Sequence, residues 1–169
     1  MHIKHPIFTT IIFSACLFGC KNYSVSVNDK TVYTPAPLFD NYALADSKLK
    51  DCVEQTIHDS HITKAEELTR LNCSNAGINS IDGLEKFFAL TELNLANNRL
   101  TDISSIAKLG RLEVLVLKNN QIKNPAPLLN LLHLQSLDVS QNPMSCKDLY
   151  QLRNSLGDNK PDLKFPEQC

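Results

Sequence analysis

The segment LTELNLANNRL, residues 90–100, decides the fold, because it returns 22 residues later as LEVLVLKNNQI, residues 112–122. A period of this length is typical of chains in which short units stack on one another and bury a shared core. The sequence therefore predicts about four stacked coils between residues 68 and 144. The leucines that open these coils, each 22 residues after the last, are Leu68, Leu90, Leu112 and Leu134.

The apolar pattern inside each repeat predicts a short strand. In Leu-x-x-Leu-x-Leu the second and third apolar residues are two apart, so they point to the same side of an extended chain. We expect these pairs to stack as columns in the core. The pairs are Leu71 and Cys73, Leu93 and Leu95, Leu115 and Leu117, and Leu137 and Val139.

An asparagine follows the strand in three of the repeats. An amide at that turn can accept from and donate to the backbone groups of neighbouring turns, which a buried loop requires. Asn98, Asn120 and Asn142 occupy this position, whereas the first repeat has Ala76 there. We expect a ladder of amide hydrogen bonds that begins at Asn98.

Large apolar residues also recur in the arm that leads back from each strand to the next. Pro125 stands where an isoleucine stood one repeat earlier, and Pro127 follows it. Proline disfavours a regular helix, so 3₁₀ or extended turns are expected on that arm. The positions expected to be buried on the return arms are Ile78, Ile81, Leu84, Phe87, Leu100, Ile103, Ile106, Leu109, Ile122, Leu128 and Leu131.

Both ends of the array carry a segment with helical periodicity. A stack of coils needs such caps, because its last coil would otherwise expose an apolar cross-section. Asp46 or Ser47 can cap the first helix, Ser145 and Asp148 resemble a capping box for the second, and Gly157 can end it. The stripes are Leu49, Cys52, Val53, Thr56 and Ile57 in the first helix, and Leu149, Leu152 and Leu156 in the second.

Together these residues resemble the 22-residue leucine-rich repeats of internalin-type bacterial surface proteins. The resemblance extends from Leu68 to Met144. It implies an α/β solenoid: a short leucine-rich repeat array with parallel β-strands on the concave face, an N-terminal helical cap and a C-terminal helical cap. The chain departs from internalins in having only about four repeats and no evident immunoglobulin-like module after them. Because that family binds many unrelated partners, the resemblance implies a binding role without naming the ligand.

The N-terminus has the features of a targeting segment. Residues 7–19 are almost wholly apolar or small, a length that suits a signal-peptide core and is too short to cross a bilayer. The run ends at LFGC, residues 17–20, which resembles the lipobox of bacterial lipoproteins and implies lipidation of Cys20. Phe18 is bulkier than is usual in that slot, and Cys16 follows a competing match with smaller residues. An ordinary secretory signal and an uncleaved membrane helix are the alternatives.

The lipoprotein resemblance also implies a location in the bacterial cell envelope. Residue 21 is lysine instead of the aspartate associated with inner-membrane retention, so we expect the outer membrane where the host has two membranes. The polar segment that follows contains Pro35 and Pro37 and predicts a flexible tether. The predicted boundaries are 1–19 for the lipoprotein signal peptide, 20–43 for the tether, 44–67 for the N-terminal cap, 68–144 for the repeats and 145–169 for the C-terminal cap.

Export to an oxidising compartment favours disulfide bonds among the four cysteines that follow Cys20. Four cysteines allow three pairings, and the local pairing joins Cys52 to Cys73 and Cys146 to Cys169. Free buried thiols are the alternative. Zinc binding is less favoured, because none of these cysteines has a C-x-x-C partner.

Strand residues that alternate with the inward pairs should face solvent on the concave side. Val114 and Val116 are apolar at such positions, and charged residues surround them, which is typical of a binding patch with a polar rim. The alternative is that valine simply favours strands. A sheet about four strands wide spans roughly 15–20 Å, which suits a peptide, a loop or a small domain. The candidate binding residues are Arg70, Asn72, Glu92, Asn94, Val114, Val116, Lys118, Ser136 and Asp138.

The composition disfavours several other functions. A net charge of -1 and the absence of tryptophan argue against a nucleic-acid surface. No Gly-rich phosphate loop or hydrolase motif occurs. His58 and His61 could hold a metal ion, but a polar helix terminus is the preferred explanation. We therefore expect no catalytic residues, no cofactor and no metal.

The sequence thus predicts a non-catalytic, lipid-anchored envelope protein, a monomer, that binds a protein or peptide partner through the concave face. The alternative function is that of an envelope inhibitor or immunity protein that blocks a single enzyme or toxin. A metal-assisted enzyme that uses His58 and His61 is the third hypothesis.

Overall fold

The computed structural model describes residues 24–27, 30–156 and 161–169. Cys16, Cys20 and Gly157 lie outside the described residues, and so do the predicted signal peptide and lipidation site. The chain forms two compact units, Met1–Ala36 and Pro37–Cys169. No helix within the described ranges is long and apolar enough to cross a membrane.

The first unit contains a small hairpin. Strand β1, Val25–Val27, pairs antiparallel with strand β2, Lys30–Tyr33. This hairpin lies within the segment for which a flexible tether is predicted.

The second unit is a solenoid with one parallel sheet and two helices. Its strands stand side by side in chain order, in the register that the repeat period predicts. Leu71, Leu93, Leu115 and Leu137 are register partners across the sheet. The strands are β3, Arg70–Asn72; β4, Glu92–Asn94; β5, Val114–Val116; β6, Ser136–Asp138; and β7, Asp162–Lys164. The helices are α1, Ser47–Asp59, and α2, Cys146–Ser155.

Short 3₁₀ helices form the return arms and close each coil. They span Ala65–Glu67, Leu84–Lys86, Ser104–Lys108 and Ala126–Asn130. The expectation of 3₁₀ structure after Pro125 is confirmed. The arms without proline adopt it too, in segments of 3 or 5 residues, and short segments of this kind are typical of 3₁₀ helices.

The core is a continuous ladder of aliphatic side chains with Phe87 at its N-terminal end. All the predicted inward pairs are buried, and so are all the predicted return-arm positions. Full burial of one leucine side chain contributes about 2 kcal/mol to stability, so the stacking of identical columns is the main force that holds the coils together.

The predicted asparagine ladder is present and begins at Asn98. Its Nδ2 donates to the backbone carbonyls of Cys73 and Leu95, each at 2.9 Å, and its Oδ1 accepts from the N–H of Ile78 at 3.0 Å. Asn120 and Asn142 repeat the arrangement one and two coils later. Each amide therefore joins two successive coils and satisfies backbone groups that no water could reach.

Helix α1 covers the N-terminal end of the core, as the periodicity predicts. Asp46 is its N-cap, and Leu49, Val53 and Ile57 are buried. A disulfide joins Cys52 on this helix to Cys73, the inward residue that follows β3. The cap is thus bonded covalently to the first coil.

The segment ahead of α1 differs from the tether prediction over residues 37–43. The backbone N–H of Phe39 donates to the carbonyl of Ile62 at 2.9 Å, and that of Ala45 donates to Asp82 at 3.3 Å. The rings of Phe39 and Tyr42 also pack against Phe87 with centroid distances of 6.0 and 5.1 Å. Aromatic contacts of this kind outweigh the polar composition of the segment, so the chain lies on the domain from residue 39 onward.

The C-terminal end contains one element that the repeat period does not predict. Helix α2 begins after Ser145, whose Oγ accepts from the N–H of Asp148 at 3.2 Å. The chain then returns as β7, which pairs with β6 and adds a fifth strand to the sheet. A disulfide between Cys146 and Cys169 ties the tail to the start of α2. The concave sheet is therefore one strand wider than predicted.

Candidate binding face

The concave face presents two columns of side chains that run across the strands. The first column contains Arg70, Glu92, Val114 and Ser136, which are register partners, and Asp162 of β7 extends it. The residues lie on this face because each alternates with a buried leucine. The structure thus aligns the predicted candidates in the order expected from the sequence.

Most residues of the second column also stabilise the ends of their own strands. The Oδ1 atoms of Asn72, Asn94 and Asp138 accept hydrogen bonds from the backbone N–H two residues onward, at 3.2, 3.0 and 3.0 Å. These are Asx turns, in which a short polar side chain replaces a backbone acceptor. Their side-chain oxygens are therefore engaged within the fold, a role that the sequence reasoning missed.

Val116 is the exception in this column. A valine has no acceptor, so the Asx turn is missing from the third coil. Within the described residues the backbone N–H of the next outward residue, Lys118, has no hydrogen-bond partner, although its counterparts Ser74, Ala96 and Ser140 all have one. The third coil therefore combines an apolar surface with an unused backbone donor.

A depression of about 460 Å³ lies on this part of the face. Val114 and Val116 are half-buried within it, while Arg70 and Glu92 are exposed. Thr56 of α1 forms one wall, which no sequence signal for the sheet could reveal. The depression is lined by Thr56, Arg70, Leu71, Asn72, Glu92, Leu93, Asn94, Val114 and Val116.

Three of the predicted candidates lie outside this lining. Lys118 is exposed just after the end of β5, and Ser136 and Asp138 belong to β6 on the C-terminal side. The oxygen Oδ1 of Asp138 also accepts from the hydroxyl of Ser140 at 2.6 Å, in addition to its Asx turn. The structure thus divides the predicted site into an apolar depression over β3–β5 and a polar margin.

The histidines of the third hypothesis lie at the end of α1. Nδ1 of His58 is 3.4 Å from Oδ1 of Asp59, and His61 has a positive φ of 53° in the turn that follows. A hydrogen bond from the side chain of Gln55 and a second, less influential one from His58 lower the pKa of the Asp59 carboxyl. In the part of the chain that the structure describes, no group of three or more His, Cys, Asp or Glu side chains could hold a metal ion.

A family model described as "Leucine Rich repeats (2 copies)" matches residues 66–108 and again residues 88–129. The chain therefore contains leucine-rich repeats, and its fold is a leucine-rich repeat solenoid. No curated protein has a significantly similar sequence.

Solved structures of bacterial leucine-rich repeat proteins are similar to this chain. An internalin from Listeria monocytogenes, inlF, is 26% identical over 65% of the chain, with a TM-score of 0.58. The aligned region is 34% of that internalin, so this chain spans about a third of its length. A leucine-rich repeat protein of Leptospira interrogans is 32% identical over 48% of the chain and 21% of its own length, with a TM-score of 0.44.

Proposed function

We propose that this chain is a non-catalytic, lipid-anchored protein of the bacterial envelope that holds an extended protein or peptide segment on its concave face. The observation that carries the proposal is the depression over β3–β5, which the half-buried Val114 and Val116 line together with Arg70, Glu92 and Thr56. An apolar centre with a polar rim is the usual composition of a recognition surface. Leucine-rich repeat domains generally serve as binding modules, which supports the same role.

The missing Asx turn favours a partner in an extended conformation. Such a segment presents backbone carbonyls at regular intervals, and one of them can accept from the N–H of Lys118. An aliphatic side chain of the same segment would then lie on Val114 and Val116. Asp138 is the register partner of Val116. Its negative charge disfavours a carboxylate of the partner at this place, so a neutral backbone carbonyl is the favoured acceptor for the N–H of Lys118.

The size of the face supports a short segment. Five strands spaced about 4.8 Å apart span on the order of 20 Å. An extended chain covers that distance with about six residues. A large globular ligand would need a longer array.

The lipid anchor at Cys20 rests on the apolar run of residues 7–19 and the LFGC segment that ends it. A lipidated cysteine would hold the domain at the membrane, and two acyl chains would hold it more firmly than one. Cys20→Ser should move the protein from the detergent phase to the aqueous phase in a phase-partition experiment, whereas Cys16→Ser should leave it in the detergent phase. The opposite pattern would assign the anchor to Cys16, and no shift with either variant would reject lipidation.

The binding proposal is tested by photo-crosslinking in intact cells from two positions. A photoreactive residue at Val116 should yield a discrete crosslinked protein, and one at the exposed return-arm residue Lys123 should not. Mass spectrometry of the crosslinked band names the partner. Recovery of one hydrolase or toxin would favour the inhibitor alternative, whereas equal crosslinking from both positions would contradict a concave site.

A further inference from the structure

We infer that the outer edge of β7 is a self-association surface, at which two copies of this chain pair their β7 strands antiparallel about a two-fold axis. This inference is independent of the proposed ligand on the concave face. It rests on the backbone groups that β7 leaves unpaired, on the order of its charges and on the exposure of the coil to which it belongs.

The backbone of β7 shows which groups face outward. The N–H of Asp162 donates to the carbonyl of Gln135 at 2.8 Å, and the carbonyl of Lys164 accepts from the N–H of Val139 at 2.9 Å. The backbone groups of one residue point to one side of a strand and those of the next residue to the other side. Both groups of Leu163 therefore point away from β6, where the described residues provide no partner for them.

The two ends of the sheet differ in how they are covered. At the N-terminal end α1 lies beside β3, a disulfide joins Cys52 of α1 to Cys73 just after β3, and Leu71 is only 3% exposed. At the C-terminal end Leu163, the corresponding side chain of β7, is half-buried, and Tyr150 on α2 is 47% exposed. The last coil thus keeps accessible apolar surface next to an open strand edge, a combination that proteins normally cover or protect.

The charges of β7 complement a second copy of themselves. In an antiparallel pair centred on Leu163, the two Leu163 residues exchange both of their backbone hydrogen bonds. Asp162 of one copy then lies directly opposite Lys164 of the other, and the reverse pair forms by symmetry. These are non-hydrogen-bonded positions, where opposing side chains are closest and opposite charges are favourable.

Neighbouring registers are unfavourable. In the next hydrogen-bonded register on one side, Asp162 lies opposite Asp162, and in the next register on the other side, Lys164 lies opposite Lys164. Like charges directly across a strand pair are destabilising. The register that pairs the two Asp162 residues also places Leu163 opposite Pro161, which has no N–H to donate. The sequence of β7 therefore selects one register, and the two concave sheets become continuous across the dimer, in place of the monomer expected from the sequence.

Charge exchange at the exposed Asp162 and Lys164 tests this pairing on the purified full-length chain. We expect the weight-average mass in sedimentation equilibrium to rise from that of one chain towards twice that value as the concentration approaches about 1 mM. Asp162→Lys and Lys164→Asp should each weaken association at least tenfold while circular dichroism stays unchanged. Mixing these two variants should restore association, because each lysine then faces an aspartate of the other chain.

Three results would overturn the inference. The wild-type chain could stay monomeric at the highest concentration, the single variants could associate as the wild type does, or the mixture could fail to associate. A strand of another protein bound at this edge would leave the wild-type chain monomeric by itself, which is the first of these results.

Discussion

The Oδ2 atom of Asp46 accepts a hydrogen bond from the backbone N–H of Asn79 at 2.8 Å, although 33 residues separate them. It also accepts from Ser80 at 3.3 Å, while Oδ1 accepts from Lys48 and Leu49 at 2.9 and 3.1 Å. One carboxylate therefore caps α1 and binds it to the return arm of the first coil. The terminal cap depends on this side chain as well as on its buried stripe.

Asp46→Ala should lower the free energy of unfolding by about 2 kcal/mol at pH 7, because it removes a helix cap and two further charge-assisted hydrogen bonds. Asp46→Asn keeps one oxygen and should lose less. Urea denaturation monitored by circular dichroism measures both. A loss below about 0.5 kcal/mol for the alanine variant would contradict a structural role.

The effect of Asp46 should also depend on pH. Partial burial raises the pKa of this carboxyl, but the backbone hydrogen bonds from Asn79, Leu49, Ser80 and Lys48 lower it by more, so its folded-state pKa lies below the ordinary value. Such a group stabilises fully above the unfolded-state pKa of about 3.9 and loses its effect as the pH falls through the folded-state pKa.

The measurement is the stability difference between the wild type and Asp46→Asn in urea from pH 7 to pH 3. This difference should be constant above about pH 5 and shrink below about pH 4, because a protonated aspartate resembles asparagine. A difference that is the same at both ends of the range would show that the charge contributes nothing.

The asparagine ladder should be more sensitive to mutation than any surface position. Asn120→Ala leaves the buried N–H of Leu100 without a partner and removes one of the amide donors to the carbonyls of Leu95 and Leu117, which keep Asn98 and Asn142, so it should cost about 3 kcal/mol. Asn119→Gly is the control, because that amide is exposed and donates only to Asn97, and glycine tolerates the φ of 54° at this position. Chemical denaturation of both variants checks the prediction, and equal losses would contradict it.

Substitutions at two glycines test whether residues 37–43 lie against the domain. Gly83 has a φ of +93°, and a Cβ there would collide with the carbonyl oxygen of Ala43, whereas a Cβ on Gly110 meets nothing within 4 Å. Gly83→Ala should lower stability by about 2 kcal/mol or more, while Gly110→Ala should change it by less than about 0.5 kcal/mol. Similar melting temperatures for both variants would show that residues 37–43 do not rest on the domain.

The sequence predicts the repeating part of this fold well, because every coil carries the same information. Leu93, Leu115 and Leu137 lie in register since a constant interval allows only one stacking of the columns. Strand β7 departs from that interval: Leu163 follows Leu137 by 26 residues, and α2 lies between them. A single irregular coil has no second copy that would identify it.

The candidate face shows a similar division. Which residues face outward follows from alternation alone, so the columns through Glu92 and Val116 are predictable. The Asx turns of Asn72, Asn94 and Asp138 depend on side-chain rotamers, which alternation does not specify. The contribution of Thr56 depends on how α1 packs against the sheet, and this lies beyond any local pattern.

Val116→Asn tests the central claim most directly, because it supplies the acceptor that the other strand ends already have. The variant should be as stable as the wild type, or more stable by up to about 1 kcal/mol. The reverse change, Asn94→Val, should cost about 1 kcal/mol by removing an Asx turn.

The decisive measurement is the Kd of the partner identified by crosslinking, determined by calorimetry for the wild type, Val116→Asn and the return-arm control Lys123→Ala. We predict at least tenfold weaker binding for a fully folded Val116→Asn, since it polarises the apolar centre and occupies the free N–H of Lys118, and nearly unchanged binding for Lys123→Ala, because Lys123 lies outside the depression. An unchanged Kd for Val116→Asn would contradict the account, because the partner would then bind elsewhere on the chain.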